Sequence, residues 1–144
     1  MGVIDIASSR SIWRGLDYYN AKKVVSWKMV DAYKYQGKVS GSNGKEYDVL
    51  LDTDHPKRST CNCPFADGRR VICKHMIALY FTAEPDKAEA FLKAVEEWEV
   101  EEEERKVEHY LELKKYVKSL TKTQLQEELL SALIELEERN NRYW

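Results

Sequence analysis

Apolar and polar positions alternate at period two in three stretches of the first half of the chain. Val25, Trp27 and Met29 alternate with Ser26 and Lys28. Tyr33, Tyr35 and Val39 alternate with Lys34, Gln36 and Lys38, and Tyr47, Val49 and Leu51 with Glu46, Asp48 and Leu50. Aromatic and β-branched residues in this pattern predict half-buried antiparallel strands. Gly41-Ser42-Asn43-Gly44 lies between the second and third and predicts a tight turn. A three-stranded meander follows. Ahead of it, Ile12, Trp13, Leu16 and Tyr19 have helical spacing interrupted by Gly15, which predicts one short helical turn. After His75, the apolar run Met76–Phe81 predicts a short helix on the sheet, ending near Pro85.

From Asp86 the composition turns to Ala, Glu, Lys and Leu, the mark of long helices. Phe91, Leu92, Val95 and Trp98 form one apolar stripe, and Val107, Tyr110, Leu111, Val117 and Leu120 a second. The charged run between them can pair Glu101 with Arg105 and Glu102 with Lys106. It fits one helix crossing solvent or two with a break near residue 100. Thr121 with Gln124 makes a capping box for a last helix, which carries Leu125, Leu129, Leu133 and Leu136. The fold class expected is therefore α+β. A sheet-bearing domain fills residues 1–85, and an acidic helical extension, hairpin-like or coiled-coil-like, fills residues 86–144.

The chain has 144 residues, 43% of them apolar and 33% charged, enough for one core. Its formal charge of −2 hides a division: residues 1–80 carry +5 and the remainder −7. The first part can face an anion; the second cannot do so evenly. No apolar run reaches the ~18–20 residues of a membrane span, and Met1–Arg10 lacks the pattern of a signal peptide. An intracellular location is expected, in cytoplasm or nucleus.

The three cysteines and one of three histidines fall in fifteen residues: Cys61, Cys63, Cys73 and His75. Three thiolates and an imidazole are the donor set of a closed tetrahedral zinc site. Two sulfurs on one zinc lie within ~4 Å, closer than side chains two apart on a straight strand. Cys61 and Cys63 must therefore sit where a strand ends and bends, before Pro64. Cys73 and His75 would diverge inside one α-helix, so Cys73 must precede the helix and His75 enter its first turn. One structural zinc per chain is expected. A catalytic zinc would keep an open position and a nearby carboxylate, and the intervening loop offers only Asp67.

Cys-x-Cys, a variable loop and Cys-x-His resemble the SWIM zinc finger. So do the flanks: Gly37-Lys38-Val39-Ser40-Gly41-Ser42, Tyr47-Asp48-Val49, Cys63-Pro64-Phe65, Cys73-Lys74-His75 and Ala78. The resemblance covers roughly residues 14–82. It implies a zinc-stabilised β-β-α unit without catalytic activity, of the kind found in transposase-related proteins and recombination accessory proteins. It implies binding to DNA or to protein without choosing between them.

Lys57, Arg58, Arg69, Arg70 and Lys74 flank the ligands and are the candidate phosphate contacts. The tyrosines at 18, 19, 33, 35 and 47 either stack on exposed bases or fill the sheet core, with Tyr35 and Tyr47 expected in the core. His55 and His109 are expected as solvated surface residues. The leading expectation is a nucleic-acid-associated accessory module, touching single-stranded or duplex DNA or a DNA-bound partner, as in recombination or transposition. It would have no small-molecule substrate and no enzymatic activity. The alternative is a pure protein-interaction adaptor whose zinc only stabilises the fold. In either case residues 121–144 are expected to self-associate or dock a partner protein.

Overall fold

A computed structural model describes residues 2–142. In chain order it contains α1 (Val3–Ile6), α2 (Ser9–Asn20), β1 (Val24–Asp31), β2 (Lys34–Ser40), β3 (Glu46–Asp52), a 3₁₀ turn at Pro56–Arg58 and β4 (Thr60–Cys61). Three helices follow: α3 (Lys74–Ala83), α4 (Pro85–Ser119) and α5 (Lys122–Asn141). The fold class is α+β. The sheet is antiparallel, in the order β1-β2-β3-β4. The fourth strand, which the sequence does not signal, has two residues, Cys61 opposite Val49 and Thr60 opposite Leu50. Asn62 prolongs the pairing: its side-chain Oδ1 accepts from Asp48 N at 2.8 Å, and its own N–H donates to Asp48 O.

The core forms around α3. Every residue from His75 to Phe81 is buried, because the sheet packs on one side of this helix and α2 on another. That explains the apolar run Met76–Phe81: a helix covered on most of its circumference has no room for a polar face. Each fully buried side chain of the Leu79 or Phe81 type contributes on the order of 1.5–3 kcal/mol. Close approach on both sides depends on glycines. A Cβ at Gly37 of β2 would lie 2.9 Å from Leu79 Cδ1, and one at Gly15 of α2 would overlap the Ile77 side chain.

Gly15 thus does not break its helix. α2 runs the full twelve residues Ser9–Asn20, capped by Ser8, whose Oγ accepts from Ser11 N; Ile12 and Leu16 are buried. The predicted single turn was too short because a glycine placed for helix crossing resembles a helix breaker in sequence.

The strands fall where the alternation put them, but β1 is not half-buried. Val25, Trp27 and Met29 are 57%, 43% and 59% exposed. β1 is an edge strand, and burial concentrates on Tyr35, Gly37 and Val39 of β2 and Val49 and Leu51 of β3. Trp27 reaches only the rim, its ring edge-on to Tyr35 at 6.0 Å. Tyr35 is in the core, Tyr47 is half-buried, and Tyr33 is exposed in the turn between β1 and β2. Asp52, buried at the end of β3, organises the link to β4. Its Oδ1 accepts from Asp54 N and His55 N, and its own N–H donates to Ser59 Oγ.

Two compact units are present, residues 1–94 and 95–144. In the first, Ala88 is buried, and Phe91 packs edge-on to Trp13 at 5.2 Å and against Phe81. In the second, no described residue is buried. The stretch around residue 100 lies within one continuous helix, α4. Arg105 pairs with Glu102 at 2.8 Å, one turn position from the predicted Glu101. Thr121 and Gln124 form the capping box at the start of α5: Thr121 Oγ1 accepts from Gln124 N, and Gln124 Oε1 from Thr121 N. His55 and His109 are solvent-exposed, His55 beside Asp54. Among the described residues, no helix is long and apolar enough to cross a membrane.

Candidate metal centre and basic surfaces

Cys61 ends β4. Cys63 lies two residues on, where the chain turns: the N–H groups of Ala66 and Asp67 both donate to Cys63 O. Cys73 is the N-cap residue of α3, and His75 stands in its first turn. The strand end and the helix start meet, and one donor atom from each of the four residues lies within 4.8 Å of the others. His75 Nδ1 is 3.8 Å from Cys61 Sγ and 3.9 Å from Cys73 Sγ. Donors on a tetrahedral zinc are separated by roughly the same distance, given Zn–S near 2.3 Å and Zn–N near 2.1 Å. All four side chains are buried, and the cysteines form no disulfide.

The electrostatics suit a metal. Cys73 is pulled down to about 4 from its usual 9, chiefly by a hydrogen bond from Cys61. Burial opposes this, while His75 and the Met76 N–H at the helix start assist. Thiolate at a helix N-terminus is a general device for lowering a cysteine pKa. Cys61 moves the other way, first because it donates that hydrogen bond and then because it is buried. Cys63 is raised by burial and by the charge of Cys73. Without a cation, Cys73 thus gives up its proton most readily, while Cys61 and Cys63 are pushed toward keeping theirs. A divalent ion replaces those protons and satisfies three sulfurs and an imidazole at once.

The imidazole is positioned by packing. Tyr47 lies 4.8 Å from His75, ring centre to ring centre, and Tyr18 lies edge-on at 5.5 Å. His75 Nε2 is buried without a hydrogen-bond partner. An imidazole held by two rings and lacking a polar anchor on its far nitrogen has its orientation set by shape.

Residues 47–84 match the family model of the SWIM zinc finger. That segment is similar to a SWIM zinc finger. The match spans β3, β4, the ligand loop and α3, which are the elements that bring the four donors together, and the finger is a zinc-binding module. The donor set fits one zinc ion. No curated protein and no solved structure matches the chain.

The five basic residues singled out in the sequence do not form one surface. Lys57, Arg58, Arg69 and Arg70 line a groove of about 1030 Å³ between the 3₁₀ turn and the ligand loop, with Cys61 and Asn62 in its wall. Asp48, Asp54 and Asp67 line it too, so four cations face three carboxylates. Arg69 is partly committed to the loop: its Nη1 donates to Phe65 O at 3.1 Å, and its guanidinium lies 5.1 Å from the Phe65 ring centre.

Lys74 lines a different cavity, of about 460 Å³, together with Arg10 and Arg14. Its ammonium sits 4.9 Å from the Tyr18 ring centre. Burial would raise the Tyr18 hydroxyl, but hydrogen bonding from Lys74 and Ser42 and the charges of Lys74 and Arg14 hold it below its usual value. Arg10 and Arg14 escaped the sequence reading because they lie some sixty residues before Lys74. Their spacing of four, on one helix face, was the available signal.

Proposed function

We propose that this protein is a non-enzymatic accessory module whose finger unit contacts nucleic acid while its helical extension holds it in a complex. In this reading Cys61, Cys63, Cys73 and His75 bind one structural zinc. The metal fixes the ligand loop, and Lys57, Arg58, Arg69, Arg70 and Lys74 contact phosphates. The observation that carries it is the convergence of four of these cations on one groove beside Cys61, where they outnumber the carboxylates of Asp48, Asp54 and Asp67 by one. Three unpaired cysteines suit a reducing, intracellular compartment.

The contact would be electrostatic, so affinity should fall with salt at a logarithmic slope of roughly 0.7–0.9 per phosphate neutralised. Fluorescence anisotropy on labelled single-stranded and duplex oligonucleotides, from low to physiological salt, tests it. Arg58→Ala/Arg70→Ala should weaken binding alike across sequences without loss of zinc. Absence of binding even at low salt would transfer the function to the second reading.

That second reading, a protein-interaction adaptor, is favoured by a separate observation. Leu129, Leu130, Leu133 and Leu136 of α5 are all more than half exposed, and apolar area of this kind marks interaction surfaces.

A further inference from the structure

The cavity that contains Lys74 differs in kind from the groove. Arg10 and Arg14 enter it from successive turns of α2, Lys74 from the first turn of α3, and Ser42 from the β2–β3 turn. Phe65, half exposed, and Tyr47 supply aromatic wall. No carboxylate lines it. Among the described residues, none of the three cations has a carboxylate within 4.0 Å. Cys63, Cys73 and His75 form its inner wall, so the candidate zinc site opens into it; zinc on three thiolates would place a charge of −1 there, which three cations outweigh. In the groove, by contrast, carboxylates nearly cancel the cations.

From this we propose that the cavity holds the terminal phosphate monoester of a nucleic-acid strand. A monoester carries about −1.5 to −2 at neutral pH, which matches three convergent cations better than a singly charged diester does. Guanidinium groups bind phosphate through paired N–H donors. A concave site suits a strand end, whereas a strand passing through suits an open groove. The Phe65 ring offers the adjoining base a face on which to stack. The source of the phosphate rests on the nucleic-acid reading above; the chemistry of the cavity does not.

The test uses the full, zinc-loaded chain and two single-stranded oligonucleotides of one sequence, labelled at the 3′ end and bearing either a 5′-phosphate or a 5′-hydroxyl. The phosphorylated strand should bind roughly tenfold more tightly, one charge-assisted contact being enough for that factor. Arg10→Gln/Arg14→Gln should abolish the difference while preserving zinc content, circular dichroism and affinity for the hydroxyl strand. Arg58→Gln/Arg70→Gln should weaken both strands equally. Equal affinity for the two ends, or a preference that survives Arg10→Gln/Arg14→Gln, overturns the proposal and leaves the nucleic-acid reading standing. If neither strand binds, that reading fails, and titration with adenosine monophosphate decides the cavity. Binding lost in Arg10→Gln/Arg14→Gln sustains a phosphate site, and no binding removes it. A phosphotyrosyl peptide that binds this cavity more tightly than adenosine monophosphate overturns the nucleic-acid source.

Discussion

Gly15 of α2 faces Ile77 of α3 so closely that any side chain at position 15 would overlap the isoleucine, with the Lys74 carbonyl oxygen only 2.9 Å from the new Cβ. The contact brings α2 against the helix that carries His75. Gly15→Ala should therefore destabilise the fold, although alanine is the better helix former. Helix propensity favours the change by about 1 kcal/mol, while overpacking a core costs roughly 1–3 kcal/mol. A lowered melting temperature is expected, and an unchanged or raised one would show that the helices can separate without penalty.

Replacing any of Cys61, Cys63, Cys73 or His75 by Ala should abolish stoichiometric zinc and unfold the region around residues 58–82. Zinc sites in small domains supply on the order of 10 kcal/mol, and this segment has only a two-residue strand, a 3₁₀ turn and a loop besides α3. Metal analysis should give one zinc per wild-type chain. A well-folded wild-type protein, free of metal with three titratable thiols, would refute the zinc assignment.

Acid should release the metal, because protons compete for every ligand. In the metal-free protein the Cys73 thiolate has a folded-state pKa of about 4, below its usual 9. Its contribution to stability is full above pH 9, shrinks as pH falls, and is gone below about pH 4. Within the folded cluster, Cys73 is then the last thiol to take a proton. Zinc release followed with a chromogenic chelator, from pH 8 to 4, should rise monotonically as pH falls. Release that rises toward alkaline pH would contradict the ligand chemistry.

Deleting residues 121–144 should alter assembly and leave zinc content intact. Leu125, Leu129, Leu133 and Leu136 are exposed, and the donors all lie before residue 76. Light scattering of the full chain against the shortened one gives the comparison. Two monomers of equal stability would mean that α5 is not an assembly surface.

A chain ending after Ala94 should hold zinc and melt cooperatively, whereas one ending at Pro85 should melt lower. The first keeps Ala88 and the stack of Phe91 on Trp13 and Phe81; the second uncovers Trp13 and Phe81. Thermal melts of both chains check this, and identical curves would place the unit's edge at Pro85.

What the sequence made legible follows from how local each cause is. The turn at Gly41–Gly44, the capping box at Thr121 and the four-donor cluster are each written within a few residues, and each stands in the structure. Cys73 as N-cap and His75 in the first turn follow from helix geometry alone. Alternation in β1 identified its faces but could not say whether anything covers them, so its exposure was invisible. β4 has two residues and no period to detect. The length of α2 was hidden because Gly15 answers to Ile77, sixty-two residues away. The charge run at 101–106 fits a solvated helix or a break, and only the whole chain decided for the helix.

The outer edge of β3 is covered by Ser59, Thr60, Cys61 and Asn62, and Cys61 is one of the four candidate zinc ligands. Losing zinc therefore frees more than a loop. It unlatches the strand that closes one side of the sheet, while β1 already presents Val25, Trp27 and Met29 at the other. A sheet open at both edges is a template for pairing with its own copies. Bound zinc would in this way also guard the sheet against aggregation.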